Sequence, residues 1–174
     1  MNDAYIRVEN LKKYFATKRG MLHAVDDVSF SIRKGETLGL VGESGCGKST
    51  LGRCLIRLLD STSGKVLLRN ENDDGYTDVT KASPREMKEL RKRVQIVFQD
   101  PYSCLNPRLS VWELIAEPLI VNNIYSDKNE MRKRIRSLMD TVGLAERLEN
   151  SYPHELDGGR RQRIGIARSL APNQ

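Results

Sequence analysis

The stretch that most constrains this chain is a glycine-rich run of nine residues. Its members are Gly42, Glu43, Ser44, Gly45, Cys46, Gly47, Lys48, Ser49 and Thr50. They match G-x-x-x-x-G-K-[ST], the phosphate-binding loop. An apolar run at 36–41 precedes the loop, as a buried parallel strand should. Leucines follow the loop at helical spacing, at Leu51, Leu55, Leu58 and Leu59. The sequence therefore predicts strand, glycine loop and helix in the order that the motif needs.

The chemistry of such a loop follows from its residue types. The glycines allow backbone conformations closed to other residues, so successive N–H groups can converge on phosphate oxygens. A helix starting near Gly47 adds its positive dipole end and unpaired amides. Lys48 would reach the β- and γ-phosphates, and the Ser49 hydroxyl would bind Mg²⁺. The alternative is a glycine-rich turn with an ordinary surface lysine. We expect a nucleoside triphosphate site.

Composition limits the class of protein. The 174 residues carry a formal charge of +6, with 30% charged and 39% apolar residues, which suits one domain with a core. The sequence shows neither an 18-residue apolar run nor a signal peptide. Three cysteines without a CxxC pair fit a reducing cytosol. Cys46, at a helix N-terminus, is either a reactive thiol or a small gap-filling residue. We predict a soluble, cytoplasmic protein.

The first hundred residues alternate strands with turns. Strands are predicted at 4–8, 25–32 and 65–69, with a polar loop at 70–80 and a basic helix at 85–92 that starts at Pro84. An apolar strand at 94–98 presents Gln99 at its carboxyl end, where open α/β sheets place ligand groups. Tyr14 either stacks on a purine base or is a half-buried tyrosine at a strand end.

From Tyr102 onward the sequence is helical. A helix at 111–120 is expected to break at Pro118. The next, at 127–142, is amphipathic and ends before Gly143. Its apolar stripe is Met131, Ile135, Leu138, Met139 and Val142, with a basic run, Arg132, Lys133 and Arg134, largely on solvated faces. A last helix runs over 161–170, and the residues expected to face inward are Ile164, Ala167, Leu170 and Ala171.

Three features together resemble the ATP-binding subunits of ABC transporters. The first is the phosphate loop. The second is VQIVFQDPYSCLNPRLSVWELIAEPL, which is similar to the glutamine loop of the oligopeptide and dipeptide importer subfamily. The third is LDGGRRQRIGIARSL, which resembles the signature segment LSGGQ and its helix. The implied fold is α/β: a P-loop NTPase (ABC ATPase) core with an N-terminal β subdomain and an α-helical subdomain, and with the C-terminal part of the sheet missing.

The resemblance also implies roles for single residues. Tyr14 would stack on adenine, Lys48 and Gln99 would serve catalysis, and Ser49 and Gln99 would bind Mg²⁺. Gln99 would in addition respond to the γ-phosphate. The implied ATP-binding residues are Tyr14, Gly42, Glu43, Ser44, Gly45, Cys46, Gly47, Lys48, Ser49, Thr50, Gln99, Asp157, Gly158, Gly159 and Arg160. The last four would face the phosphate loop of a second subunit.

The implied assembly is an importer. Residues 1–100 would form the nucleotide-binding core with its β subdomain, 101–157 the helical subdomain, and 158–174 the start of the second half of the core. The helices at 102–143 would dock on two transmembrane permease subunits. A second ATP-binding subunit would complete the pair, and an extracellular peptide-binding protein would deliver peptides. The location would be the cytoplasmic face of the cell membrane, with no nucleic-acid partner.

Two departures from the family pattern stand out. Asp157 replaces the usual serine and Arg160 the usual glutamine. Asp and Ser are both good helix N-caps, so the helix should start normally. A carboxylate there occupies amides that would serve the partner's γ-phosphate, and it repels that phosphate. The alternative is that Asp157 and Arg160 are a tolerated pair in this branch of the family.

The second departure is where the sequence stops. In the family, an apolar strand with its aspartate, the water-activating glutamate and a switch histidine follow, and the strand lies between the two predicted parallel strands. No residue of the chain is a credible general base, and His23 and His154 are expected at the surface or in packing. The chain alone is expected to be inactive. Other candidates are a soluble ABC-type switch acting on nucleic acid or ribosomes, and an inert remnant.

Overall fold

The computed structural model describes residues 4–71 and 73–172. Met1 to Asp3, Asn72, Asn173 and Gln174 lie outside the described residues. Three features considered above therefore fall partly outside the described residues: the N-terminus, the predicted loop at 70–80 and the last predicted domain. Contacts divide the chain into two units, Met1–Arg91 and Lys92–Gln174. Each unit is described by itself.

The first unit is built on a four-stranded antiparallel sheet. Its strands are β1 (Ala4–Thr17), β2 (Gly20–Arg33), β3 (Ser63–Arg69) and β4 (Tyr76–Asp78). Their order across the sheet is β2-β1-β3-β4. The three predicted strands are confirmed, but β1 continues through residues expected to be a connection, and β4 lies in the predicted loop. The long β1–β2 hairpin brings Tyr14 opposite His23 and Phe15 opposite Leu22.

A bulge lets β1 bury residues that are three apart. Val8 is 1% exposed and Leu11 0%, although a regular strand would send them to opposite faces. The pairing of β1 with β2 shifts register between these two residues. Asn10, within the shift, has φ of 46°, and its amide donates to Ser29 Oγ at 2.8 Å. An extra residue of this kind reverses the alternation of faces beyond it.

Two helices accompany this sheet: α1 (Lys48–Leu55), and α2 (Pro84–Arg93), whose last two residues follow the unit boundary at Arg91. Both were predicted, but α1 ends before Leu58, which is 50% exposed. The amide of Leu58 donates to Arg53 O at 2.8 Å and that of Arg57 to Cys54 O at 3.1 Å. With Arg57 at φ of 51°, these bonds form a Schellman motif without glycine. The helix therefore ends there, although the leucine spacing in the sequence continues to Leu58 and Leu59.

The predicted parallel strands at 36–41 and 94–98 are wrong as strands. Neither segment joins a ladder within the described part of the chain. Leu38, Leu40 and Val41 are 47%, 51% and 89% exposed, and Phe98 is 43% exposed. A strand exists only with a hydrogen-bonded neighbour, and an apolar run cannot show whether that neighbour is present.

The second unit is helical. It contains α3 (Pro101–Cys104), α4 (Val111–Val121), α5 (Lys128–Thr141) and α6 (Gly158–Leu170), with 3₁₀ turns at Glu146–Leu148 and Pro153–Glu155. Its core is drawn from α4, α5, α6 and their connections. The buried members are Leu105, Val111, Leu114, Ile115, Ala116, Leu119, Ile135, Leu138, Met139, Leu144, Leu156, Ile164, Ala167 and Ala171.

Local signals set the ends of these helices. Ser110 and Glu113 form a reciprocal capping box at the start of α4. Asp127 caps α5, and Gly143, with φ of 71°, follows its end as predicted. The apolar stripe predicted for α5 is confirmed at Ile135, Leu138 and Met139, which are buried.

Two expectations for the helical unit are wrong. Pro118 does not break α4, which continues to Val121. Five side chains of α4 are at most 1% exposed, so burial outweighs the roughly 3 kcal/mol cost of an interior proline. Leu170 does not face inward, since it is 37% exposed. It is the last residue of α6, and Ala171 takes the buried position instead.

The predicted domain boundaries at 100 and 157 stay predictions, and the division into two compact units falls between Arg91 and Lys92. Residues 92–100 and α6 belong to the same unit as the other helices. α6 contacts α3, α4 and α5 within that unit. The assignment of 158–174 to a second half of the core stays a prediction.

The two aliphatic side chains of α6 should differ sharply in their effect on stability. Ile164 is fully buried and Leu170 is exposed. We expect Ile164→Ala to lower the free energy of unfolding by about 2–4 kcal/mol because it leaves a cavity. Leu170→Ala should change it by less than about 0.5 kcal/mol. Urea unfolding followed by circular dichroism measures both, and equal losses would contradict the burial of Ile164.

Candidate functional site

Three glycines of the phosphate loop in the first unit have positive φ angles. Gly42, Gly45 and Gly47 have φ of 152°, 83° and 94°. Gly47 is the N-cap residue of α1, without a side-chain cap. A β-carbon on Gly47 would lie 2.0 Å from the carbonyl oxygen of Ala24 on β2, closer than any real contact. Position 47 requires glycine for two reasons: its φ angle is positive, and β2 approaches it too closely for a β-carbon.

Lys48 lies over the loop that precedes it. Its Nζ donates to the carbonyl oxygens of Gly42 at 2.7 Å and Glu43 at 2.5 Å. Cys46 Sγ lies 3.5 Å from the same nitrogen. The ammonium is therefore held at the mouth of the loop by short backbone bonds, where it can meet phosphate oxygens without a large movement of the chain.

The start of α1 supplies backbone donors. The amide of Leu51 donates to Gly47 O at 2.8 Å, closing the first turn. The amides of the preceding residues, Lys48, Ser49 and Thr50, stand at the positive end of the helix dipole. The Ser49 side chain is exposed there. Such an end binds anions, and a hydroxyl at this place is a suitable oxygen ligand for Mg²⁺.

These groups line a cavity of about 430 Å³. One wall is the loop and the start of α1, and the other is the β1–β2 hairpin. The residues that line it are Phe15, Leu22, His23, Ala24, Ser44, Gly45, Cys46, Gly47, Lys48, Ser49 and Thr50. It combines an aromatic ring, an imidazole, an ammonium and an array of amides. That combination suits a base, a sugar and phosphates.

Tyr14 lies beside this cavity, in contact with His23, and its expected stacking on adenine stays a prediction. Its ring stacks on His23, with centroids 3.9 Å apart and planes 15° from parallel. Its hydroxyl donates a short hydrogen bond to Asp26. The neighbouring residue, Phe15, is among the residues that line the cavity, as is His23.

The contacts of Tyr14 shift two pKa values. The hydrogen bond to Asp26 is the main reason that the pKa of the Tyr14 phenol is raised. The same bond, with a second from His23, lowers the pKa of the Asp26 carboxyl. His23 Nδ1 lies 3.3 Å from Asp26 Oδ2. His23 does pack on a neighbour as expected, but its position at the cavity was missed.

The remaining predicted site residues lie in the helical unit. Gln99 is exposed and follows the segment 94–98. Asp100 caps α3 by accepting from the amide of Tyr102 at 2.9 Å. Two side chains of α6 bond to this segment: Gln162 donates to Phe98 O at 3.2 Å and Ser169 to Ile96 O at 3.1 Å.

Asp157 caps α6, as its residue type predicts. Its Oδ1 accepts from the amide of Arg160 at 2.8 Å, and its Oδ2 lies 3.6 Å from Arg160 Nε. The guanidinium of Arg161 lies 4.0 Å over the Tyr102 ring. Arg161 Nε also donates to Pro153 O at 2.6 Å, which fixes the turn before the helix. The signature segment is thus an ordered helix start whose cap is a carboxylate.

The site residues expected to act together are divided between the two units. The phosphate loop with Ser49 is in one, and Gln99 with the signature residues is in the other. Their joint roles stay predictions. Within residues 4–71 and 73–172 there is no group of three or more His, Cys, Asp or Glu side chains placed to hold a metal ion. Nor does that part of the chain contain a helix able to cross a membrane.

Comparison with known proteins identifies the family. A family model described as ABC transporter matches residues 25–174. The chain therefore belongs to the ABC transporter family. The oligopeptide transport ATP-binding protein OppF of Bacillus subtilis is 50% identical over 98% of this chain and 54% of its own length. The dipeptide transport ATP-binding protein DppF of Haemophilus influenzae is 43% identical over 97% of this chain and 51% of its own.

Solved structures agree on the fold. The dimeric, post-hydrolysis ATP-binding cassette MJ0796, bound to ADP and Pi, matches with a TM-score of 0.81. It is 31% identical, and the match covers 97% of this chain and 70% of that one. The predicted fold class and the resemblance to the peptide-importer subfamily are confirmed. The chain spans about half the length of the curated relatives it matches.

The contact between Gly47 and β2 can be tested without a ligand. We expect Gly47→Ala to destabilise the first unit by at least about 2 kcal/mol, since the new methyl group meets Ala24 O and the backbone keeps φ of 94°. Gly52→Ala is the matched control within α1, because a β-carbon there meets open space. It should be neutral or stabilising by up to about 1 kcal/mol. Thermal unfolding compares the two, and equal midpoints would contradict the contact.

Proposed function

We propose that this chain is the nucleotide-binding portion of an ATPase subunit that energises peptide import. The observation that carries the proposal is the phosphate loop, with its positive-φ glycines and the Lys48 ammonium at its mouth. The names of the relatives supply the substrate class, peptides. The reaction is transfer of the γ-phosphoryl group of ATP to water.

In the proposed site, the loop amides and the start of α1 bind the phosphates, and Lys48 neutralises charge on the β- and γ-phosphates. Ser49, with its exposed hydroxyl at the start of α1, would hold Mg²⁺ together with Gln99. A bound Mg²⁺ neutralises charge that develops on the phosphate oxygens. Tyr14, which stacks on the cavity-lining residue His23, is the ring proposed to stack on adenine.

The proposed assembly is a pair of ATP-binding subunits beneath two transmembrane permease subunits, at the cytoplasmic face of the membrane. An extracellular peptide-binding protein would supply the peptides. The pair is supported by the dimeric state of MJ0796, and the permeases by the transport names of the relatives. The α4–α5 region presents Ile120 and Val121 to solvent, at 55% and 64% exposure, as a surface for the permease loops.

Ligand-induced stabilisation tests nucleotide binding by the 174-residue chain. We expect Mg-ATP to raise the midpoint of thermal unfolding, because a ligand at 100 times its Kd adds about 2.7 kcal/mol. Lys48→Ala should abolish the rise. Lys65→Ala, an exposed lysine on β3 and outside the cavity, should retain it. A rise of the same size in the Lys48 variant, or none in any protein, would refute the proposed site.

The signature cap can be tested in a subunit of the relatives' full length. Asp157→Ser keeps a good N-cap but removes the carboxylate that accepts from the Arg160 amide. We expect the Mg-ATP-dependent dimer to tighten several-fold, about 1 kcal/mol, because a like charge beside the partner's phosphate is gone. Sedimentation velocity measures the dissociation constant. Equal constants for the two proteins would show that Asp157 and Arg160 are a tolerated pair.

A further inference from the structure

Side chains of α6 hold the backbone that precedes Gln99. Gln162 Nε2 donates to the carbonyl oxygen of Phe98, the residue just before Gln99, at 3.2 Å. The Ser169 hydroxyl, further along α6, donates to Ile96 O at 3.1 Å. The segment 94–98 joins no ladder within the described part of the chain. The carbonyl groups of Ile96 and Phe98 therefore have side chains of α6 as partners instead of a neighbouring strand.

The same helix holds the residues that follow Gln99. The guanidinium of Arg161 lies 4.0 Å over the ring of Tyr102. Arg168 Nη1 donates to Cys104 O at 3.3 Å. Tyr102 is 63% exposed, so burial contributes little to its position and the cation–π contact is a main restraint on its ring. Gln99 is thus flanked on both sides by restraints that come from one helix.

Gln99 lies between these restraints, and its own side chain is exposed. Two neighbours on α6 contact the residues closest to it, Gln162 on the side of Phe98 and Arg161 on the side of Tyr102. The helix is itself anchored in the buried core of its unit. A backbone that is fixed at both flanks leaves the side chain between them fewer orientations, so less conformational entropy is lost when that side chain binds a ligand.

We propose that Gln162 and Arg161 are positioning residues that hold Gln99 in place for the Mg²⁺ that accompanies the nucleotide. The inference rests on the proposed function, in which Gln99 binds that ion. It gives α6 a second role beside the one at its cap, where Asp157 would meet the phosphate of a partner subunit. A positioning residue acts through Gln99, so the loss of its contact should matter only where Gln99 and Mg²⁺ are both present.

The experiment measures the dissociation constant of ATP by calorimetry in a subunit of the relatives' full length, with Mg²⁺ and with EDTA. Gln162→Met keeps an unbranched side chain but removes the donor, and Gln162→Lys supplies a donor again. We expect Gln162→Met to weaken Mg-ATP binding roughly fivefold, the size of one net hydrogen bond, and to leave ATP binding in EDTA unchanged. Gln162→Lys should bind Mg-ATP as the parent does.

A second contact and a neighbouring residue complete the set of variants. Tyr102→Leu removes the ring beneath Arg161, and it should weaken Mg-ATP binding in the same selective way. Arg163 gives the matched control on α6, because it donates instead to the carbonyl oxygens of Val142 and Gly143. Arg163→Met should keep the Mg-ATP affinity of the parent.

A double-mutant cycle shows whether Gln162 acts through Gln99. Gln99→Ala should weaken Mg-ATP binding but not ATP binding in EDTA, and adding Gln162→Met should then cause no further loss. Additive losses would overturn the inference, as would equal weakening with and without Mg²⁺ or unchanged binding in Gln162→Met. If Gln99→Ala binds Mg-ATP as tightly as the parent, or Lys48→Ala binds ATP unchanged, the proposed function itself fails, whatever Gln162→Met shows.

Hydrogen exchange of the nucleotide-free 174-residue chain gives a readout that needs no ligand. Peptides covering 96–104 should exchange faster in Gln162→Met and in Tyr102→Leu, because each variant removes a restraint at one flank of Gln99. Arg163→Met should instead speed exchange at the end of α5 and leave 96–104 at the rate of the parent. Exchange of 96–104 at the rate of the parent in both of the first two variants would overturn the inference.

Discussion

The close approach of Gly47 to the carbonyl of Ala24 is the contact on which the site depends. It brings the glycine loop against β2 with no room for a side chain, and so joins the start of α1 to the edge of the antiparallel sheet. In the same loop, Lys48 Nζ donates to the carbonyls of Gly42 and Glu43. The hairpin is the second wall of the cavity.

The hairpin adds chemistry to that wall in an order set by strand geometry. Cross-strand pairing places Phe15 beside Leu22 and Tyr14 beside His23, so adjacent pairs present different faces. Residues of both pairs, Phe15 and His23, line the cavity, and the Tyr14 ring stacks on the imidazole. Register shifts between β1 and β2 precede this point and set which residue of β1 pairs with His23.

Local signals in the sequence predicted most of the helices and the phosphate loop. The capping box at Ser110, the cap at Asp127 and the glycine at 143 each act within one turn of chain, so their effect is readable from spacing. Features that depend on distant partners were not readable. Arg57 ends α1 with a positive φ, which an arginine in the sequence does not predict. Pro118 stays within α4 because the neighbouring side chains of that helix are buried. The ladder partners of 36–41 and 94–98 are not encoded in those segments, and the pairing of Tyr14 with His23 depends on register shifts in β1.

The start of α6 shows how a sequence departure can preserve structure while changing electrostatics. Asp157 accepts the Arg160 amide as a serine would, so the helix begins in the same way. Unlike a serine, however, Asp157 brings a negative charge to the start of the helix. The Arg160 guanidinium is 3.6 Å away, but both side chains are about half or more exposed, at 48% and 61%, and water screens such a pair strongly. The carboxylate therefore remains a substantial negative charge at a helix start that otherwise favours anions. In the proposed dimer, this charge opposes the approach of a partner's phosphate, and the Arg160 side chain offsets only part of it.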